Sequence, residues 1–294
     1  MEITDPRAII DSYNNLLFDI YQREGLQALS DNQYTFKGIS VMALSNPAIV
    51  RAGQAGLYKR LQQVFTEINK ELSDKNYYYA ETELFSITGE IKYRIGTLYL
   101  YHPYILQLKY SYRYHNGKKH FVYDQTLEDA RFNREIPIAF ESIYKYWQRI
   151  SDYLSGFFPE VILKLRGKTY FHHPFEHICS KYPQLMNSEN LKWLVDFSKN
   201  EYPKFNGRRQ FFVHQKGYDN EFFGKFLDGS SDDESVVVQM DEERNNLLVY
   251  LKAQLDHCLD GYLYLMAFLN ELYIQPEKDG GFLYSLPGAP LTPI

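Results

Sequence analysis

The sequence predicts a mainly α protein, a helical bundle preceded by an N-terminal helical region with one small β-hairpin. Three observations support this fold class. Apolar residues recur every three or four positions through most of the chain, which is the period of an amphipathic helix. One stretch alternates with a period of two around an Asn-Gly pair, which is typical of a hairpin. The C-terminal third carries a long heptad pattern, which favours near-parallel helix packing.

The composition is that of a globular protein. The 294 residues are 45% apolar and 23% charged, enough to bury a substantial core. Aromatic residues are abundant, with 27 Tyr and 20 Phe. The formal net charge of -5 argues against a general nucleic-acid coat, which needs a basic field, although a local basic site is compatible with it.

The cysteines and the apolar runs bear on the compartment. Cys179 and Cys258 form no CxxC pair, and two thiols in a chain this long predict reduced, packed side chains rather than a disulfide framework. The first residues lack the basic start and apolar core of a signal peptide. No apolar run approaches the length of a membrane span. The sequence therefore predicts a soluble cytoplasmic protein with no membrane partner.

Helix-start signals mark the first two predicted helices. Asp5-Pro6 provides a cap and a first-turn proline, and the helical period then continues to Gly25. Asn46-Pro47 repeats the signal and predicts a helix that ends near Asp74. Residues between these two helices give no firm prediction.

The third predicted helix runs from Leu84 to about Leu100. The segment before it, NYYYAET at 76–82, is interpreted as a connector. Pro103 interrupts the helical pattern, because proline lacks the amide hydrogen that a helix interior requires.

A β-hairpin is predicted at 105–124. Its tyrosines, among them Tyr110, Tyr112 and Tyr114, alternate with polar residues, and Asn116-Gly117 suits a type I′ turn. The alternative is a long helix broken at Pro103. We interpret the tyrosine stripe as a buried or interface face of the hairpin, the other reading being a surface that stacks bases.

The middle of the chain alternates between helix and irregular segments. Residues 124–136 are polar and predict a linker, after which a helix begins at Pro137 and stops at Phe158-Pro159. Residues 160–187 are predicted to be irregular with one short helix. Ser188 caps a further helix, which Pro203 and Gly207 interrupt before two arginines.

The last helix has the clearest pattern in the chain. Asp241 is predicted as its cap, with Glu242 and Glu243 in the first turn, where the helix dipole favours negative charge. Its heptad seam consists of Leu248, Leu251, Leu255, Cys258, Tyr262, Leu265, Leu269 and Leu272. The tail from Pro276 is rich in Gly and Pro and predicts an extended, non-helical segment. The predicted domains are thus an N-terminal helical region (1–125), a bundle (126–275) and a tail (276–294).

The candidate site is the segment PKFNGRRQFFVHQKG at 203–217. Arg209 and His214 are separated by four residues, and Arg208 gives a second reading with a five-residue gap. Arginine suits phosphate oxygens, and histidine exchanges protons near neutral pH. On one helix the pair would be about 7.5 Å apart along the axis and about 140° apart around it, so a helix end or a second chain suits the site better.

Three further residues are candidates for binding substrate. They are Lys204, Gln210 and Lys216, of which the two lysines make the segment locally basic. No residue in the segment is assigned to a metal or a cofactor. The plain alternative is an ordinary helix with a solvated charged face.

The C-terminal half, roughly residues 137–275, resembles a HEPN domain (higher eukaryotes and prokaryotes nucleotide-binding). That family is an all-α bundle with an R-x(4–6)-H motif near one end of a core helix. Arg209 and His214 match the motif, with Arg208 doubled before it. The family usually has a polar residue, often Asn, after the arginine, and here that residue is Gln210.

The resemblance implies metal-independent RNA cleavage, as in the active branches of the family. Arg209, with Arg208, would stabilise charge on the phosphate, and His214 would transfer a proton. The resemblance also implies a homodimer in which both motifs face one cleft. The competing class is a non-catalytic helical module that binds a nucleotide or a protein partner.

Other motifs were weighed against this site. His173, Glu176 and His177 match the H-x-x-E-H pattern of inverted zincins, but Pro174 restricts them to a helix start, and no third ligand is evident. Gly167-Lys168-Thr169 lacks the leading glycine of a phosphate loop. The arginine–histidine spacing also recurs at Arg166/His172 and Arg113/His120, so spacing alone is not specific.

Overall fold

The computed structural model describes residues 5–31, 35–36, 39–40, 64–66, 68, 74–158, 171–215, 233–276 and 282–286. In these ranges the chain is mainly helical, which confirms the fold class. The helices are α1 (Pro6–Glu24), α2 (Asp74–Tyr101), α3 (Leu127–Ser155), α4 (His172–Lys181), α5 (Glu189–Gln210) and α6 (Glu234–Glu271). The strands are β1 (Thr35–Phe36), β2 (Ile39–Ser40), β3 (Tyr112–His115), β4 (Lys118–Phe121), β5 (Tyr273–Pro276) and β6 (Phe282–Ser285).

Helix α1 begins and ends where the sequence predicts. The Asp5 carboxylate accepts a hydrogen bond from the Arg7 amide at 3.0 Å, which satisfies an amide at the helix start. Gly25 ends the helix with φ of 63°, a left-handed conformation that glycine adopts without a Cβ penalty.

Helix α2 is longer than predicted. It already includes the residues of NYYYAET, so the interpretation of 76–82 as a connector is wrong. That segment contains no proline or glycine to break the helix, and it continues into the buried stripe of Leu84, Ile91 and Ile95. The predicted helix from Asn46 lies almost wholly outside the described residues, of which 64–66 and 68 are helical.

The β3–β4 hairpin is confirmed, with shorter strands than predicted. The two strands pair antiparallel from Tyr112 opposite Phe121 to His115 opposite Lys118. Asn116 and Gly117 both have positive φ, 51° and 75°, as a type I′ turn requires. A short 3₁₀ turn, Leu108–Tyr110, replaces the first predicted strand residues.

Helix α3 begins ten residues before the predicted start at Pro137. The capping residue is Thr126, whose hydroxyl accepts the Asp129 amide at 3.1 Å while the Asp129 carboxylate accepts the Thr126 amide at 3.1 Å. This reciprocal capping box starts the helix, and Pro137 lies inside it. The prediction of a linker at 124–136 is therefore wrong from Leu127 onward.

Helix α5 extends past its predicted C-terminal end, and α6 starts before its predicted start. Ser188 caps α5 as predicted, since its hydroxyl accepts the Leu191 amide at 3.2 Å. The helix then continues through Pro203 and Gly207, so both arginines lie in its last turn. Helix α6 starts at Glu234, and Asp241, predicted as its cap, lies inside it.

The heptad seam of α6 is confirmed, because all eight of its side chains are buried. The described part of the tail contains strand β6. Strands β5 and β6 pair antiparallel, from Tyr273 opposite Ser285 to Pro276 opposite Phe282, as do β1 and β2. This pairing allows Tyr284 to be buried.

The contacts divide the chain into two compact units that interleave along the sequence. Unit 1 comprises residues 1–27, 89–143 and 207–256, and unit 2 comprises residues 28–88, 144–206 and 257–294. The sequential boundaries near residues 125 and 275 stay a prediction. No helix in the described part of the chain is long and apolar enough to span a membrane.

Each unit has its own core. In unit 1, the buried apolar side chains include Phe132, Phe140 and Ile143 of α3. In unit 2, Trp147 of α3 stacks on Phe197 of α5 with ring centroids 4.2 Å apart. Gly261 of α6 lies directly against this indole, where any larger residue would collide with the ring.

Candidate functional site

The candidate site lies in unit 1, where α5 ends and a π-helical segment, Phe211–Gln215, begins. Short π-helical segments often occur at functional sites. The change in helical period places the motif at a helix end, which is the setting that the sequence favours for Arg209 and His214.

Arg209 is buried, with 7% of its surface exposed. Its Nε and Nη2 atoms lie 2.8 and 2.7 Å from the same carboxylate oxygen, Oε1 of Glu141 on α3. A carboxylate this close to a buried guanidinium offsets its charge, since uncompensated burial of the arginine would cost several kcal/mol. The Arg209–Glu141 pair therefore fastens the end of α5 to α3.

Arg208 has the opposite environment. It is exposed, and its guanidinium carbon lies 4.1 Å from the centroid of the Tyr250 ring on α6. A cation in this position is held by the ring quadrupole without losing its charge to a carboxylate. Adjacent residues of a helix point about 100° apart, so one arginine faces the interior while the other faces solvent.

Three aromatic rings pack against one another next to the site. Tyr250 stacks with Phe140, the residue before Glu141, at a centroid distance of 6.2 Å. Phe140 in turn contacts Phe212 of the π-helical segment at 5.1 Å. These contacts fix the segment that carries His214 against α3 and α6.

The remaining predicted residues have varied positions. His214 belongs to the π-helical segment, and only its backbone is among the described parts of the chain. Gln210 is exposed as the last residue of α5. Lys204, in unit 2, pairs with Glu201 at 2.8 Å, and Lys216 lies outside the described residues. The structure thus gives the side chains of Arg208 and Arg209 different environments, one exposed and one buried, and the role of each residue stays a prediction.

A second polar cluster, which sequence reasoning missed, lies at the base of the β3–β4 hairpin. Arg244 of α6 is buried and contacts the Asp129 carboxylate at 2.5 Å and the Leu106 carbonyl at 2.6 Å. The Asp241 carboxylate accepts the amides of Leu108 and Lys109 at 3.0 and 3.1 Å. We call Asp129, Asp241 and Arg244 the hairpin clamp.

The hairpin clamp borders a small polar cavity of about 100 Å³. His102 lines it, with Nε2 2.7 Å from Oδ1 of Asn245. Burial lowers the pKa of His102 below its ordinary value, and the nearby Arg244 cation lowers it further. The only sequence signal for this cluster was the acidic start of the last helix, which was assigned to capping.

The alternative motifs gain little from the structure. His173, Glu176 and His177 lie on α4, with Pro174 in its first turn as predicted. Among the residues that the structure describes, no group of three or more His, Cys, Asp or Glu side chains is arranged to hold a metal ion. Residues 166–169, with the partial phosphate-loop match, lie outside the described ranges.

The hairpin tyrosines are exposed, so the expectation that they are buried is wrong. Tyr110 and Tyr114 each have 71% of their surface exposed, and Tyr112 has 42%. The hairpin buries Phe121 instead, at the end of β4. Whether the tyrosines form an interface stays a prediction.

Comparison of the chain with protein-family models, with curated proteins and with solved structures finds no match in any of the three. The resemblance to HEPN domains therefore rests on the sequence motif and the order of the helices.

Proposed function

We propose that this protein is a HEPN-type helical protein that acts on RNA, as a metal-independent endoribonuclease. One observation carries the proposal: the guanidinium of Arg208 is exposed and held over Tyr250, and Arg208 lies three residues before the start of the π-helical segment that contains His214. An exposed arginine close in sequence to a histidine is a pairing that suits phosphate chemistry near neutral pH.

In the proposed reaction, a ribose 2′-oxygen attacks the adjacent phosphorus. The bond from phosphorus to the 5′-oxygen breaks, which leaves a 2′,3′-cyclic phosphate and a 5′-hydroxyl. Arg208 contacts the phosphate oxygens and stabilises their growing negative charge. His214 exchanges a proton with the attacking or the leaving oxygen. Gln210, Lys204 and Lys216 are the proposed contacts to the RNA backbone.

Arg209 has a different proposed role from the one that the family motif implies. Its guanidinium is buried and paired with Glu141, so it positions the last turn of α5 rather than contacting phosphate. Half-exposed Glu141 keeps this pair at the edge of the site. Arg208 then supplies the reactive cation of the doubled arginine.

The proposal is tested by incubating the purified chain with single-stranded RNA in EDTA and identifying the product ends. We expect cleavage with cyclic phosphate ends, and a loss of about 100-fold or more in Arg208→Ala and in His214→Ala. Arg23→Ala is the matched control, because Arg23 is also an exposed arginine of unit 1 and pairs only with its neighbour Glu24 among the described contacts. Cleavage that survives both site substitutions would contradict the proposal.

A non-catalytic module that binds a nucleotide or a protein partner is the second candidate function. The Arg209–Glu141 pair favours it, because the motif arginine is already neutralised. Absence of cleavage by the wild-type chain, with unchanged folding of the Arg208→Ala variant, would select this alternative.

We also propose a cytoplasmic location, from the sequence features described above, and a homodimer, from the resemblance, in which a second chain completes the site. Sedimentation of the wild-type chain over a range of concentrations tests this part directly. A monomer at every concentration that supports cleavage would remove the dimer from the proposal.

A further inference from the structure

The β3–β4 hairpin presents exposed tyrosines and cations together. Residues directly opposite each other in an antiparallel pair share a face, so Tyr112, Tyr114, Lys119 and Phe121 lie on one side of the hairpin. Phe121 is buried at the base, while Tyr112 and Tyr114 extend into solvent. Their rings touch edge to face, with centroids 5.7 Å apart.

Lysines are positioned against these rings. The ammonium of Lys119 lies 4.3 Å from the centroid of the Tyr112 ring, and that of Lys109 lies 5.0 Å from the centroid of the Tyr110 ring. The Lys119 ammonium also pairs with Glu234 at 3.0 Å, so Lys109 is the cation better placed to contact a group that stacks on the adjacent tyrosine.

The opposite face of the hairpin is also basic. It carries Arg113, His115, Lys118 and His120. Residues 104–124 contain four lysines and arginines but only one carboxylate, Asp124, in a chain whose net charge is -5. The hairpin is thus a locally positive, aromatic surface on an acidic protein, which suits an anionic partner with flat rings.

We propose that the β3–β4 hairpin is a binding surface for single-stranded RNA. Bases stack on Tyr110, Tyr112 and Tyr114, and a neighbouring phosphate contacts Lys109. Only unpaired bases offer free ring faces, so single strands bind in preference to duplexes. The choice of RNA over other anions rests on the proposed function, whereas the surface itself lies outside the arginine–histidine site.

The hairpin is held in a fixed orientation for this role. The hairpin clamp binds the chain just before β3, through the amides of Leu108 and Lys109 and the carbonyl of Leu106. A surface that is already ordered before binding loses less conformational entropy when the ligand binds. The rings of Tyr110 and Tyr114 are largely exposed, which leaves them accessible to a ligand.

The test is the fluorescence anisotropy of a labelled single-stranded RNA of about 12 nucleotides, titrated with the full chain. The His214→Ala background prevents cleavage during the measurement. We expect Tyr112→Ala and Tyr114→Ala each to raise Kd about tenfold, with Tyr112→Phe and Tyr114→Phe within about twofold, because phenylalanine keeps the stacking face. Lys109→Ala should weaken binding and lower the salt slope by about one.

Tyr273→Ala is the matched control, since Tyr273 is a half-exposed tyrosine on the other long hairpin, β5–β6. Its Kd should equal that of the parent chain. Unchanged Kd values in both tyrosine-to-alanine variants of β3 would overturn the inference, and so would equal losses of duplex and single-strand binding. If these two variants instead lose binding to a protein partner or lose self-association, the surface would be assigned to a protein contact.

The inference and the proposed function can fail separately. Cleavage that depends on Arg208, together with RNA binding that ignores Tyr112 and Tyr114, would overturn the inference alone. Tyrosine-dependent binding of single-stranded RNA by a wild-type chain that cleaves nothing would support the inference and remove the nuclease activity.

Discussion

The two longer hairpins of this protein use tyrosine in opposite ways. On β3–β4, in unit 1, Tyr114 extends into solvent. On β5–β6, in unit 2, Tyr284 is buried, and its hydroxyl donates to the Phe157 carbonyl at 2.9 Å. Its ring also stacks on Phe158 with centroids 4.6 Å apart.

The difference lies in how each hairpin is attached to its unit. The first is fastened by the hairpin clamp, whose charged groups hold backbone atoms next to β3, and of its eight strand side chains only Phe121 is buried. The second is fastened by burying an aromatic side chain. A polar attachment leaves the strand side chains free to contact a ligand, whereas an apolar attachment uses them for stability.

Removing the central cation of the clamp should have the largest effect on stability and tests the contrast between the two hairpins most directly. Arg244→Met leaves the buried Asp129 carboxylate without its charge partner, and we expect a loss of about 3–5 kcal/mol in the free energy of unfolding. Urea denaturation measures it. Arg113→Met is the control, because its pair with Asp124 is exposed and is worth at most about 1 kcal/mol. Equal losses in the two variants would show that the clamp does not anchor the hairpin.

Truncating the buried tyrosine should have the next largest effect. Tyr284→Ala removes a packed ring and a buried hydrogen bond, and we expect a loss of about 3 kcal/mol. Tyr114→Ala should change stability by no more than about 0.5 kcal/mol, because its ring is exposed. Similar losses, measured side by side in urea, would mean that the β3–β4 tyrosines do serve folding.

Protonation of His102, beside the clamp, should have a smaller effect on stability. Burial and the Arg244 cation lower the pKa of His102 below its ordinary value of 6.5. Between the lowered pKa and pH 6.5, the unfolded chain therefore binds more protons than the folded chain. The contribution of neutral His102 to the free energy of unfolding is full above pH 6.5 and is lost as the pH falls through the lowered pKa. His102→Gln should lose less stability than the wild type between pH 7 and pH 5 in urea titrations. An identical pH dependence in both chains would exclude this contribution.

Local signals predicted much of the fold. Asp5 and Gly25 mark the ends of α1, and Asn116-Gly117 marks the hairpin turn, because each acts on backbone that is close to it in sequence. The seam of α6 was readable because its spacing repeats over seven intervals. Pro137 was misleading, since the capping box at Thr126 had already started the helix.

Pairs that are distant in sequence were not predictable. Asp241 resembles a helix cap, but its carboxylate binds amides more than 130 residues away. Arg209 resembles a phosphate ligand, and only the structure shows that Glu141, 68 residues earlier, neutralises it. The motif identified the segment of the candidate site, whereas the exposure of Arg208 and the burial of its neighbour depend on tertiary packing.

Both tryptophans of the chain, Trp147 and Trp193, belong to unit 2. Their indole emission consequently reports on that unit alone, whereas far-ultraviolet circular dichroism follows the helices of both units. Recording the two signals during one denaturation separates a concerted transition from a stepwise one without any added label.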